Sequence, residues 1–195
     1  MVSIQRGLSS ESVRSAADLF LTALGEKLVP ILGNEARATA LVESSIVSTS
    51  CLSAVEDGNL LGVLAIQTNK QSFLNPDFKD LRAHYGFLGG IIRVAGLTLL
   101  QHSPKPKELY IEGIAVADFA RGKGVGTKLL DEIMILAKSQ GFERVTLQVI
   151  NTNHRALQLY ERLGFTIEKR SKVWPVNRMI GWHFSESIFM GRVID

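Results

Sequence analysis

One seven-residue segment constrains this chain more than any other. It is Arg121-Gly122-Lys123-Gly124-Val125-Gly126-Thr127, set between an apolar run and an amphipathic pattern. Upstream, Glu108–Ala117 (ELYIEGIAVA) reads as a strand. Downstream, Leu129, Leu130, Ile133, Leu136 and Ala137 recur at helical spacing from about Val125 to Ser139, and Gly141 follows as a stop. Three glycines at alternate positions strip side chains from the turn, so its backbone amides can converge. The helix start adds unpaired N–H groups and a partial positive charge, which suits a phosphate or pyrophosphate. Arg121, Lys123 and Lys128 add formal charge. The spacing is not G-x-G-x-x-G, because residue 127 is threonine, and no P-loop can be read through it.

The rest of the chain reads as mixed α/β. Val2–Gln5 is a short strand. Ser9–Ser12 offers helix caps before Val13, Ala16, Ala17, Phe20 and Leu24, and a second helix runs from Glu35 to about Val47. Cys51–Val55 and Leu60–Gln67 flank Glu56-Asp57-Gly58-Asn59, a hairpin signature. Residues 68–107 form an insertion. A structureless loop of that length is unusual in a compact domain, so one or two helices are expected there. Beyond the glycine turn follow a strand over Glu143–Ile150, a helix over His154–Leu163 and two last strands, Phe165–Val173 and Ser187–Val193.

Composition excludes several classes. At 195 residues the chain reads as one domain. One cysteine, Cys51, leaves no internal disulfide framework and no multi-cysteine zinc site. Twenty-two Lys+Arg against 19 Asp+Glu give a net charge of +3, too mild to mark a nucleic-acid binder. The apolar stretch Phe87–Leu100 is interrupted by Arg93 and is shorter than the ~18–20 residues of a membrane span. No signal-peptide pattern opens the chain, so a cytoplasmic setting is expected.

Arg121-Gly122-Lys123-Gly124-Val125-Gly126 resembles the Arg/Gln-x-x-Gly-x-Gly/Ala fingerprint of the GNAT superfamily of acetyl-CoA-dependent N-acetyltransferases. Tyr110–Val116 looks like that family's central strand, and Asn153–Phe165 (NHRALQLYERLGF) like its N…A…Y…GF block. The resemblance is strong over Leu109–Thr166 and elsewhere rests on element order. It implies an α/β (α+β) fold with a single domain over 1–195. The mixed sheet would have about six to seven strands, splayed at the cofactor site and flanked by helices on both faces. The proline that many members carry after the central strand is missing from Val116-Ala117-Asp118-Phe119-Ala120.

What the resemblance implies for chemistry is specific. Gly122, Lys123, Gly124, Val125, Gly126 and Thr127, with Arg121, would hold the pyrophosphate of acetyl-CoA. Ile114, Ala115 and Val116 would pair with its pantetheine arm as if adding a strand, and the Val116 amide would polarise the thioester carbonyl. Asn153 would sit at the cofactor. Tyr160, two helical turns on, would protonate the leaving thiolate. Glu112, a carboxylate in an apolar strand, is the candidate base, and strict alternation would put it on one face with Tyr110, Ile114 and Val116. Glu108 and His154 are weaker alternatives, and the scattered His84, His102 and His183 show no metal spacing. Trp174, Arg178 and Trp182 are substrate-side candidates, or else a hydrophobic lid over the sheet end. The insertion is available to cover the acceptor site or to form a homodimer surface. The expected activity is acetyl transfer to a primary amine of a small molecule or a protein, without a metal, a nucleic acid or a membrane. The alternative is a GNAT-like domain that senses acyl-CoA or docks a partner without turnover.

Overall fold

The computed structural model describes residues 1–33, 35–98 and 100–194. Leu99, in the apolar stretch, and Asp195 lie outside the described residues. In chain order the elements are β1 (Ser3–Arg6), α1 (Val13–Leu32), α2 (Glu35–Ser45), β2 (Cys51–Glu56), β3 (Asn59–Gln67) and α3 (Phe78–Thr98). Then come β4 (Glu108–Val116), α4 (Val125–Ser139), β5 (Arg144–Ile150), α5 (His154–Arg162), β6 (Thr166–Lys172), α6 (Val176–Ile180) and β7 (Glu186–Val193). Seven strands form one sheet in the order β1-β2-β3-β4-β5-β7-β6. Every neighbouring pair is antiparallel except β4 with β5.

Local chemistry explains most of these boundaries. Asp57 and Gly58 both have positive φ (51° and 79°), as a tight two-residue hairpin between β2 and β3 requires. Ser10–Ser12 forms a short 3-10 turn instead of a side-chain cap: Ser12 N donates to Ser9 O at 3.0 Å, and neither serine side chain caps α1. The insertion is helical as expected. Its helix α3 is broken at Gly86 (φ 72°, ψ 180°), a conformation that only glycine adopts freely, so it is two shorter pieces. Among the described residues no helix is long and apolar enough to cross a membrane.

Helices cover both faces of the sheet. On one side, Leu129, Leu130 and Ile133 of α4 pack on Leu64, Leu109, Ile111 and Leu147. On the other, Phe20 and Leu21 of α1 and Leu41 of α2 pack on Val63, Ala65 and Ala115, with Phe73 of the insertion filling the middle. Phe20 and Phe73 meet ring to ring at 5.3 Å.

The sheet has one fault that matters. Along β3–β4, Ala65 faces Gly113 while Ile66 faces Ile111, so Glu112 is an extra, unpaired residue in β4. A bulge of this kind reverses the alternation beyond it. Leu109 and Ile111 face α4 before the bulge, and Ile114 and Val116 do so after it. The expectation that Tyr110, Glu112, Ile114 and Val116 share a face is therefore corrected. Glu112 turns toward the α1 side, where it meets the insertion at Ser72–Leu74.

Candidate active site

β4 and β5 pair only from Glu108↔Arg144 to Ile111↔Leu147. Beyond that point β4 continues with β3 and β5 continues with β7, so the two strands part. Ala117 N donates to Leu61 O at 2.9 Å. In an antiparallel pair the hydrogen-bonding groups of successive residues point to opposite edges. Ala115 and Ala117 therefore address β3, while the N–H and C=O groups of Ile114 and Val116 address the gap. Val116 O accepts Arg121 Nε at 3.3 Å there. The sheet thus carries an open main-chain edge in its centre.

A cleft of roughly 610 Å³ runs from this edge to the glycine turn. Gly122 and Gly124 have φ of 78° and 79°, and Gly124 stands as the left-handed residue before α4. Nothing lies within 4 Å of where a Gly124 Cβ would be. Lys128 N donates to Gly124 O at 3.0 Å and closes the first turn of α4, so the amides of Val125, Gly126 and Thr127 have no carbonyl behind them in the helix. The turn faces an open cleft with several free donors, which fits a diphosphate. Arg121 is ionically tied to Asp118 at 2.9 Å. Arg155 and Arg162 of α5 also line this cleft, with Arg155 Nη2 3.8 Å from a Cβ built on Gly122. Of the residues read from sequence, Lys123 does not line the cleft, and Ala115 turns its side chain into the α1-side core. Arg155 and Arg162 escaped the sequence reading. Their signal was a basic residue one helical turn or so on either side of Leu159, on a helix already assigned to the site.

A second cleft of roughly 340 Å³ opens on the α1 side of the same gap. Ala23, Ile114, Asn153, Ala156 and Tyr160 line both clefts and mark their junction. Asn153 stands at the start of α5, where its Oδ1 accepts from Ala156 N at 3.1 Å. Tyr160 follows at the buried end of that helix. Burial pushes its pKa up to about 12, so the phenol keeps its proton.

Glu112 lines the second cleft. Its Oε1 accepts from the Ser72 hydroxyl and, at 2.9 Å, from Phe73 N, whereas Oε2 has only a long contact of 3.4 Å to Leu74 N. Burial raises its pKa, and these three donors offset the rise only in part. One carboxylate oxygen is thus held and the other is underused, in a site that favours taking up a proton. Lys27 of α1 lines the same cleft and was not anticipated; a lysine in an amphipathic helix ordinarily reads as solvent-facing.

The remaining candidates lie elsewhere. Glu108, at the opposite end of β4, is saturated by the Thr146 hydroxyl, Lys105 N at 3.0 Å and His102 Nε2 at 3.0 Å. His154 is exposed at the first position of α5 and lines neither cleft. Trp174 and Arg178 are exposed. Trp182 is buried, stacks on Phe184 and donates from Nε1 to Lys27 O at 2.9 Å. It secures α1 and does not line the cleft. Among the described residues no three His, Cys, Asp or Glu side chains cluster as metal ligands.

The site thus joins an open main-chain edge, where two parallel strands part, to a glycine turn at a helix start. The chain belongs to the acetyltransferase (GNAT) family, whose model matches residues 30–165. It is 31% identical over 77 residues to thialysine N-epsilon-acetyltransferase of Bos taurus, covering 40% of this chain and 45% of that one. It is also 31% identical over 116 residues to 5-NmdU N-acetyltransferase of Pseudomonas phage PaMx11, covering 54% and 81%. Against the bovine relative the chain thus spans less than half of the length. In fold it is similar to a Bacillus subtilis acetyltransferase in complex with CoA, with TM-score 0.64, 16% identity and full coverage of both chains. It is similar as well to the ribosomal-protein-S18-alanine N-acetyltransferase from Escherichia coli, with TM-score 0.60, 16% identity, and coverage of 100% and 95%.

Proposed function

We propose that the protein transfers the acetyl group of acetyl-CoA to a primary amine by direct attack in a ternary complex. The observation that carries this reading is the continuous path from the glycine turn, along the open edge at Ile114 and Val116, to Tyr160 and Glu112. The amides from Gly122 to Thr127 take the pyrophosphate, with the Arg121, Arg155 and Arg162 side chains nearby. The pantetheine amides complete the edge that β5 abandons. The Val116 N–H lies where it can meet charge developing on the thioester oxygen.

The acceptor enters from the α1 side. Its amine nitrogen bonds to the thioester carbon, and the C–S bond breaks. Glu112 accepts the proton released by the amine, directly or through a water. Tyr160, a phenol that burial keeps protonated, gives its proton to the departing thiolate. The products are an amide and CoA. In this reading the setting is the cytoplasm.

Acceptors named among the relatives include a thialysine, a 5-NmdU and a ribosomal-protein alanine, so similarity alone does not choose between a small molecule and a protein. The test follows free thiol from acetyl-CoA across a panel of amines. Release that depends on an added amine supports transfer. CoA binding with no release for any amine would replace it with a non-catalytic acyl-CoA sensor.

A further inference from the structure

Lys27 is unused by the chemistry above, and its surroundings do not explain why it is a lysine. It stands one helical turn beyond Ala23, on the face of α1 that closes the junction of the two clefts. Its ammonium has three donors. One of them makes a long contact, 3.5 Å, to Gln148 O on β5. Among the described residues it takes part in no ion pair. The two carboxylates of the cleft are engaged elsewhere: Glu26 accepts the Thr152 hydroxyl at 3.1 Å, and Glu112 is held by Ser72–Leu74. Loss of hydration, with no counter-ion in return, lowers the Lys27 pKa to about 8.

A cation placed this way costs stability unless something anionic joins it. The cleft shows what would fit. Lys27 leans on β5 and Glu112 projects from β4, so a positive and a negative group face the same space from opposite lips. Among the described residues no arginine lines this cleft, and Glu26 adds a second negative charge. That balance favours a singly charged anion over a phosphate. A volume of roughly 340 Å³ suits a small molecule.

Resting on the acetyl-transfer reading, we propose that the acceptor is a small zwitterion, a primary amine that carries a carboxylate. Lys27 holds the carboxylate while Glu112 receives the amine. The backbone of Lys27 is fixed for this task by the Trp182 indole, which donates to its carbonyl at 2.9 Å.

The experiment uses matched pairs of amines with and without the acid: β-alanine against propylamine, 6-aminohexanoate against hexylamine, and lysine against cadaverine. For the full chain with acetyl-CoA, kcat/KM should favour the carboxylated member by about 10–100-fold, the range of one charged hydrogen bond. Lys27→Met should erase that preference by raising KM for the acid while leaving kcat within a few-fold; Lys27→Arg should restore most of it. The wild-type pairs decide the matter even if a variant fails to fold. Equal or better turnover of the neutral amines would overturn the proposal and leave acetyl transfer standing. So would acetylation of Lys27 itself by acetyl-CoA, seen by mass spectrometry. If no amine turns over, calorimetry in the presence of CoA separates the two ideas. Saturable binding of the carboxylated member alone keeps the Lys27 site and sinks transfer; binding of neither member overturns the site.

Discussion

The two glutamates of β4 stand four residues apart on one strand and live in opposite conditions. Glu108 lies where β4 pairs with β5, opposite Arg144. Burial alone would raise its pKa, but the donors Thr146, Lys105 and His102 outweigh burial and bring it below the ordinary carboxylate value. Glu112 lies where β4 has bulged and lost β5. Three donors reach it too, yet burial wins and its pKa stays raised. The difference is in which oxygens are used. Both Glu108 oxygens have short partners, whereas Glu112 Oε2 has only the 3.4 Å contact. A saturated carboxylate holds a strand end in place, while an unsaturated one beside a cleft can take a proton.

The largest effect expected concerns the glycine-turn end of the path. Gly124→Asp puts a side chain and a negative charge into a turn whose φ of 79° excludes most residues. Affinity for CoA should fall by more than about 100-fold in calorimetry; near-normal affinity would dissociate the turn from phosphate binding. Next, Glu112→Gln should lower kcat by about 10²–10³-fold with CoA affinity nearly intact, the range of a lost general base. Glu108→Gln should change kcat little. It should instead lower stability by about 1–3 kcal/mol, read as a fall of several degrees in melting temperature. Equal kinetic effects of the two substitutions would mean that Glu108 and Glu112 do not differ in role.

Acid and base limbs sharpen the comparison further. The stability that Glu108 provides is present above the ordinary carboxylate pKa and is lost as pH falls through its lower folded value. Glu112 works the other way: its contribution is present below the ordinary value and is lost as pH rises through its raised folded value. Melting curves from acid to neutral pH should show the first loss disappear in Glu108→Gln. The rate should rise with pH through an inflection above the usual carboxylate range, and that inflection should vanish in Glu112→Gln. Tyr160→Phe should cost about 10–100-fold in kcat with little change in CoA affinity. An unchanged rate would remove Tyr160 from the mechanism. The smallest effect is thermodynamic. Lys27→Met removes a desolvated, unpaired cation and should raise stability by about 1 kcal/mol, or ~2–4 °C, in the ligand-free protein.

The same strand shows what a sequence discloses and what it does not. The glycine turn was legible because positive φ at residues 122 and 124 demands glycine, and the β2–β3 hairpin because Asp57-Gly58 demands a left-handed pair. Tyr160 and Asn153 were legible through the resemblance to the family's motif, helical spacing adding only that both project from nearly one face. The bulge at Glu112 was not, since it depends on how Ala65 and Ile66 of another strand pair with β4. The anchoring of Glu112 by Ser72, Phe73 and Leu74 is equally non-local, contributed by the least readable part of the chain. Lys27 was hidden for the same reason. A lysine in an amphipathic helix reads as solvent-facing, and only the parting of β4 from β5 turns its position into a cleft wall.

In a crystal structure with CoA bound, the pyrophosphate is expected within about 3 Å of amides between Gly122 and Thr127. The pantetheine is expected alongside Ile114 and Val116, with the sulfur beside Tyr160. CoA bound at another surface, with this edge and turn left bare at saturating concentration, would overturn the assignment of both.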